Sequence, residues 1–434
     1  MKLEGRTVVF VCPSRFSMGE LHNAVQMGRQ LHRDLGCCAV YIVPPVFEGL
    51  AAAAGFPEYV FPRRSADNRR WLGDLLRLIA PGLLVLADHA NPALERSSID
   101  YESVYDAGFP VVAIDSLQFA SGREVEYAVA GVHGAHRLRH WLPPSVAVPA
   151  VPDGVPVLTP VPVASARHAQ NPFALYAERP RAEVAATQLR ERLGVPGDHR
   201  LVVIAQSGWA SAAFAQLARG AERHGIYERL RTRRLVRALD ESGHRVTLLE
   251  IASGDRADES SARVDVRSLG RLNSQQFTDV IAAADLYATD NLISGAMAQA
   301  AALGTPVLAL TNSVEREADP TDEIDQELEH RYPGWAFPYL VNPFGWHREL
   351  APVLRDNPYL ESVARVEVFE RNRLASAFEA QLGANPDRRA TAALGESASA
   401  LPLVSSMLST LTENLDGAPA TAPMDRRNHE MENQ

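Results

Sequence analysis

The chain has 434 residues and a formal net charge of -10, with 46% hydrophobic and 22% charged residues, a balance that excludes extensive disorder. That length predicts two domains, because single cores stop growing at about 250–300 residues. The acidic balance, with no basic stripe, excludes nucleic acid as the expected partner.

Lys2 is the only lysine, so nearly all positive charge is arginine, a bias that points to a GC-rich bacterial genome. Cys12, Cys37 and Cys38 lack metal-ligand spacing, and the adjacent pair cannot form a relaxed disulfide. A reducing, cytoplasmic compartment is therefore expected. The N-terminal run TVVFVC is shorter than a signal-peptide core and no cleavage pattern follows it. No apolar run approaches the roughly 20 residues of a membrane span.

Taken in chain order, RTVVFVC reads as a strand, GELHNAVQMGRQLHRDLG as a helix, and CCAVYIV, PGLLVLAD and PVVAID as further strands. Near-continuous Val/Ile/Leu runs separated by amphipathic helices predict a parallel sheet covered on both faces. The proline-packed run 141–164 is expected to sustain neither helix nor central strand and to form the crossing between domains. A second series follows the helix ERPRAEVAATQLRERLGV: strand RLVVIAQSG, a helix around RLRTRRLVRALDESG, strand HRVTLLEIA, segment ARVDVRSLG, helix NSQQFTDVIAAA, strand DLYAT, a helix from Ser294, and strand TPVLALT. Residues 315–363 are acidic and aromatic without clear periodicity and read as a loop-rich insertion. The expected organisation is an N-terminal domain at 1–160, a linker at 161–180, a C-terminal domain at 181–390, a C-terminal helix at 391–413 and a disordered tail at 414–434. In such an α/β class, ligands bind at the carboxyl ends of the strands, here between the halves.

The stretch TDNLISGAMAQAAALGTPVLAL carries the most specific signal. Ser294 is a natural N-cap, and Gly295, Ala296 and the alanines behind them keep the next helix thin. Small residues there let the first helical amides approach a phosphate, with a dipole contribution on the order of 1 kcal/mol. They equally suit a helix packed tightly on a sheet.

The order SLGRLNSQQFTDVIAAADLYATDNLISGAMAQAAALGTPVLAL resembles the donor-binding region of GT-B glycosyltransferases, where a strand leads into His-Gly-Gly-x-Gly-Thr, a helix, Gly-x-Pro and another strand. The resemblance implies a GT-B fold of two Rossmann-like domains facing across a cleft. Aligned on Gly304 and Pro306, Gly295 falls on the third glycine of that pattern, and Gly270 falls where the loop cradling the nucleotide base begins. The chain departs from the pattern at Asn291, which stands for His, at Leu292 and Ile293, which replace glycines, and at Gln299, which replaces the acidic residue that holds the ribose hydroxyls. The resemblance also places Gln206, Ser207 and Gly208 of VVIAQSGWA against the donor diphosphate, with Trp209 either lining the pocket or packing. The donor-binding set is thus Gln206, Ser207, Gly208, Gly270, Asn291, Ser294, Gly295, Ala296 and Gln299.

The start VVFVCPSRFSMGELHNAVQMGRQLHRDLG is similar to the family's first strand, loop and helix, and matching Gly19 places Glu20 at the position of the usual catalytic His. A base is needed there, because the acceptor hydroxyl loses its proton as it attacks. Glu20 also suits a plain acidic residue in a first helical turn. His22 is the neighbouring candidate, and Asp88 corresponds to the Asp that supports the base in the family. Ser17, Met18, His89 and Asp115 are expected in the acceptor pocket, Asp115 alternatively capping a turn. His133, His136, Arg137 and Arg139 look like a metal cluster but lack carboxylate or cysteine partners, and a solvated or interdomain face is expected instead.

The resemblance implies transfer of a sugar from a nucleotide-diphosphate donor to a hydroxyl or amine of a small acceptor in bacterial secondary metabolism. It implies a nucleotide sugar as co-substrate, no bound cofactor and no metal. A homodimer is left open. The competing readings are a GT-B scaffold without transfer activity that serves as a binding or auxiliary protein, and a nucleotide-sugar epimerase of the same fold.

Overall fold

The computed structural model describes residues 2–15, 18–62, 65–95, 99–126, 145–176, 178–206, 208, 211, 214–215, 218–220, 223–251, 257–311, 319–332 and 349–415. Two sheets organise them. The first has seven strands in the order β3-β2-β1-β4-β5-β8-β9. These are β1 (Thr7–Val11), β2 (Cys38–Val43), β3 (Glu58–Val60), β4 (Leu83–Leu86), β5 (Val111–Ile114), β8 (Val157–Val161) and β9 (Pro172–Ala174). The second has six strands in the order β12-β11-β10-β13-β14-β15. These are β10 (Arg200–Ala205), β11 (Val246–Ile251), β12 (Val264–Leu269), β13 (Leu286–Thr289), β14 (Val307–Thr311) and β15 (Ala364–Glu367). Every pairing within both sheets is parallel. β6 (Ser121–Glu126) and β7 (Ser145–Ala150) form a separate antiparallel pair.

Both sheets share one logic. The chain lays three strands outward in one direction, returns to the first, and continues on its other side. Each sheet therefore has a switch point, between β1 and β4 and between β10 and β13, where the connections leave in opposite directions and a crevice opens at the carboxyl ends.

The helices are α1 (Met18–Leu35), α2 (Ser65–Ile79), α3 (Asn91–Glu95), α4 (Tyr101–Tyr105), α5 (Ala186–Arg192), α6 (Ile226–Glu241), α7 (Ser274–Ala283), α8 (Gly295–Leu303), α9 (Glu323–Arg331), α10 (Ala351–Leu354), α11 (Pro358–Ser362), α12 (Arg371–Leu382), α13 (Arg389–Ser399) and α14 (Val404–Leu415). The heptad-like apolar face of α1, with Leu21, Ala24, Val25 and Leu31 buried, lies on the first sheet. Its Gly28 is required by close approach: a Cβ there would stand 1.9 Å from the Tyr41 hydroxyl. That hydroxyl is fixed, donating to the Ala24 carbonyl at 3.1 Å while the ring stacks on Phe10 at 5.1 Å.

One apolar cluster continues from the first sheet to the second through α1, Tyr176, α8, α13 and α14. Polar ties follow the same seam: Gln30 donates to the Leu175 carbonyl at 3.0 Å, and Ser405 of α14 donates to Asp34 of α1 at 2.6 Å. Because β9 belongs to the first sheet and α5 packs on α7, we propose that the boundary between the two domains falls after Tyr176.

The proline-rich run departs from expectation. β8 lies inside the first sheet, between β5 and β9. The carbonyls of Pro156 and Leu158 accept from Ala113 and Asp115 on the β5 side at 2.9 Å each. Pro160 next turns its missing N–H toward that side, where β5 has already ended at Ile114, so no ladder bond is lost. Within the expected loop-rich insertion, the described residues 319–332 and 349–363 include α9, α10 and α11, and α9 is capped by Asp322, whose side chain accepts from Ile324 at 2.8 Å.

Gly28→Ala is expected to destabilise the fold by about 1–3 kcal/mol through overpacking against Tyr41, read from denaturant unfolding curves; a stability equal to that of the parent would show that Tyr41 moves freely.

Candidate active site

The two switch points face each other, and between them lies a cleft of about 620 Å³. Each wall is supplied by strand ends. Met18, Gly19 and Glu20 follow β1, Asp88 follows β4, Gln206 follows β10, and Asn291, Ser294, Gly295 and Ala296 follow β13.

On the N-terminal side, Glu20 is 6% exposed in the first turn of α1. Its Oε2 accepts from the Asn91 side-chain amide at 2.8 Å. Asn91 is itself set by Asp88, whose Oδ1 accepts from the backbone amides of Ala90 and Asn91 at 2.9 and 3.3 Å. Burial first, and the nearby Asp115 carboxylate second, push the Asp88 carboxyl up to about 7. His22 reaches across the cleft: its Nδ1 pairs with the Ser274 hydroxyl at the start of α7 at 3.0 Å. Burial, aided by Arg29, lowers His22 to about 4, which keeps its imidazole neutral near pH 7.

On the C-terminal side, both side-chain amide atoms of Gln206 are buried in the cleft wall without a partner. Buried polar groups of this kind are costly unless something pairs with them. Gly208 lines the same wall and is exposed. The turn after β13 is held locally, with Asn291 Oδ1 accepting from Ile293 at 3.2 Å and Ser294 Oγ accepting from Met297 at 3.3 Å as the N-cap of α8. The Gly295 and Ala296 amides precede the capped one, in the part of a helix that has no intrahelical acceptors. Packing does not demand glycine at 295, since a Cβ there would meet nothing nearer than 3.6 Å.

Gln299, 1% exposed, has its orientation decided by its neighbour. The Thr278 hydroxyl donates to the Ser274 carbonyl at 2.8 Å, so it accepts from Gln299 Nε2 at 2.6 Å. That leaves Gln299 Oε1, which has no partner, as an acceptor at the cleft.

Behind this wall sits charge. Asp290, directly after β13, accepts from Arg231 at 2.9 Å, and the Arg231 guanidinium also lies 3.5 Å from Glu250. Arg231 is only 2% exposed, and Ser211 of the cleft wall donates to Glu228 of the same helix at 2.7 Å. Attraction to these carboxylates outweighs the burial that lowers the Arg231 pKa and raises it further.

Several sequence-based expectations are corrected. His89 does not line the cleft: it is fully buried, its Nδ1 pairs with the Tyr105 hydroxyl and its Nε2 with the Pro149 carbonyl, both at 2.8 Å, so its ring is a packing element. Of the two expectations for Asp115 the turn cap holds, its two oxygens accepting from Phe119 and Ala120 at 2.8 and 2.9 Å. Gly270 is exposed at the cleft rim, and Arg271 and Leu272 after it form the wall instead. Ser17, Ser207, Trp209 and the group His133, His136, Arg137 and Arg139 lie outside the described residues. The sequence reading missed Asn91, for which the signal was an Asn three residues after a strand-end Asp. It also missed Asn23 and Ser274, which only α1 and α7 packing brings to the cleft.

Among the described residues no group of three or more metal-capable side chains occurs, and no helix is long and apolar enough to cross a membrane. A depression of about 860 Å³ at the amino ends of the second sheet is lined by Arg190, Arg200, Arg245 and Asp285. Its charges are paired with one another, Arg190 and Arg200 with Asp285 at 2.9 and 3.4 Å.

Two parallel sheets with facing switch points and a cleft between them define a GT-B architecture, and known structures agree. Spinosyn forosaminyltransferase SpnP superposes with a TM-score of 0.55 at 13% identity, covering 95% of this chain and 99% of that one. The glycosyltransferase VinC, solved in complex with DTDP, gives 0.54 at 12% identity over 95% of this chain and 100% of that one. The glycotransferase of kitacinnamycin gives 0.50 at 15% identity over 96% and 100%. At such identities the likeness is one of fold. By sequence the chain belongs to the family of unknown function DUF6365, whose model matches residues 27–415. No curated protein matches it.

Two outcomes test this geometry. Arg231→Met strands buried carboxylates and is expected to cost about 3–5 kcal/mol of stability, part of which Arg231→Met/Asp290→Asn recovers; denaturant unfolding reads both, and an unchanged single variant would contradict the buried pair. Because the Asp88 pKa is raised in the fold, the native state holds more protons than the unfolded chain between the ordinary carboxyl value and about 7, and stability falls as pH rises through that window. Asp88→Asn keeps an oxygen for the two amides and is expected to remove that fall, a relative gain of ~1–4 kcal/mol at pH 8 over pH 4. An unchanged pH slope would place the proton elsewhere.

Proposed function

We propose that this protein is a glycosyltransferase that moves a sugar from a nucleotide-diphosphate donor to a hydroxyl or amine of a small acceptor, as in natural-product tailoring. The observation that carries the reading is the convergence on one cleft of a buried, oriented carboxylate from the first sheet, Glu20, and the small-residue start of α8 from the second. A diphosphate seated on the Gly295 and Ala296 amides meets the positive end of the helix, and the partnerless Gln206 amide faces it. Gln299 Oε1 accepts from a ribose hydroxyl, taking the part of the acidic residue with an uncharged acceptor.

In the reaction, the acceptor hydroxyl gives its proton to Glu20 as its oxygen bonds to the anomeric carbon. The bond from that carbon to the diphosphate breaks, and the nucleoside diphosphate leaves with its charge against α8. Such a displacement inverts the anomeric centre. Asn91 orients Glu20 by its bond to Oε2, and Asp88 orients Asn91. The residues lining the acceptor side, among them Val46, Phe47, Leu50 and Leu117, suit an apolar acceptor.

The auxiliary-scaffold reading draws on one feature, the Ile293 side chain lining the cleft where the family has glycine. Thermal melting against UDP-, dTDP-, GDP- and ADP-linked sugars separates the two, because a ligand of the folded state raises the melting temperature. A rise with one nucleotide class, together with a Glu20→Gln variant that keeps that rise and loses turnover by about 100-fold or more, is the expected result. No rise with any donor would favour the scaffold.

A further inference from the structure

Asn23 stands on α1 one turn after Glu20 and, though carried by the first sheet's helix, lines the cleft where α8 begins. Its Oδ1 is buried without a hydrogen-bond partner and lies 3.6 Å from where a Cβ on Gly295 would stand. Contacts on either side fix this approach: the Tyr176 hydroxyl donates to the Gly295 carbonyl at 3.1 Å, and His22 pairs with Ser274 at 3.0 Å. A second atom independently marks the same cleft as a ligand site, since Gln299 on α8 is 1% exposed and keeps Oε1 partnerless there.

The Asn23 oxygen thus lies beside the first residue of α8, at the electropositive start of a helix that favours an anion. A carboxamide turned about its last bond exchanges its oxygen for an NH2 of nearly the same shape. We propose that Asn23 is a donor-recognition residue supplied by the opposite half: its Nδ2 donates to the diphosphate seated on the start of α8, so that the nucleoside-diphosphate site is complete only when both halves form it. This rests on the glycosyltransferase reading. A neutral donor suits the position, whereas a carboxylate there would face the diphosphate with like charge.

The test is calorimetric titration of the parent, Asn23→Ala and Asn23→Asp with UDP, dTDP, GDP and ADP and with the corresponding nucleosides. For the diphosphate that the parent binds, Asn23→Ala is expected to weaken binding about tenfold and Asn23→Asp about 100-fold, with nucleoside binding unchanged. Melting of the ligand-free variants reports folding, and Asn23→Ala carries the test if Asn23→Asp does not fold. Parent-like diphosphate affinity in the variants, or equal losses for nucleoside and diphosphate, would overturn the role of Asn23 and leave the glycosyltransferase reading standing. A parent that binds none of the diphosphates would overturn both.

Discussion

The constraint on which this molecule depends is the reversal of strand order in a parallel sheet. A parallel neighbour needs a crossover connection, and crossovers of one hand place successive helices on one face. When the chain returns to its first strand and proceeds the other way, the next helix falls on the opposite face and the strand ends between them stay uncovered. The protein does this twice, at β1/β4 and at β10/β13. The groups placed after those strands, Glu20, Asp88, Gln206 and Asn291, meet without any one loop having to reach far.

Around the turn after β13 and the end of β10, the second sheet lines the cleft with uncharged polar atoms and sets its charges one layer back, while Arg271 after β12 brings a charge to the wall. Gln206, Asn291, Ser294 and Gln299 face the cleft, while Arg231, Asp290 and Glu250 are sealed behind. Sealed ions must be paired or they unfold the site, and pairing them locks α6 to the turn after β13. The arrangement makes that turn stiff without presenting a fixed charge to a ligand. On the opposite wall the Asp88–Asn91–Glu20 chain does the reverse, holding a carboxylate at the cleft through the Asn91 side-chain amide.

The halves are joined under the cleft rather than merely tethered. The shared apolar cluster, the Ser405 bond and the His22–Ser274 pair hold α1 against α7, α8 and α14. A site made of both walls therefore inherits its spacing from packing that spans the whole chain.

Much of this was legible in residues alone. Continuous apolar runs fixed the parallel strands, since a strand buried on both faces has no polar alternation to offer. Ser294 announced its helix by its cap and Gly304 the end of it, in the left-handed conformation with φ at 82°. Strand-end position marks Asp88 as a candidate from sequence, and the family resemblance marks Glu20 and Gln206. Tertiary structure decided what sequence leaves degenerate. An acidic or histidine side chain at a strand end looks alike whether it faces a cleft or a turn, and only the neighbours turned Asp115 and His89 inward. The arginines of RLRTRR carry no mark of burial, yet two of them are sealed because Asp290, Asp322 and Asp325 arrive from distant segments. A proline run reads as a strand breaker, and β8 is a strand because the missing N–H falls where its neighbour has ended. Sequence determines local conformation through short-range sterics and hydrogen bonding, whereas pairing across the chain, which sets burial and charge, exists only once the fold has brought the partners together.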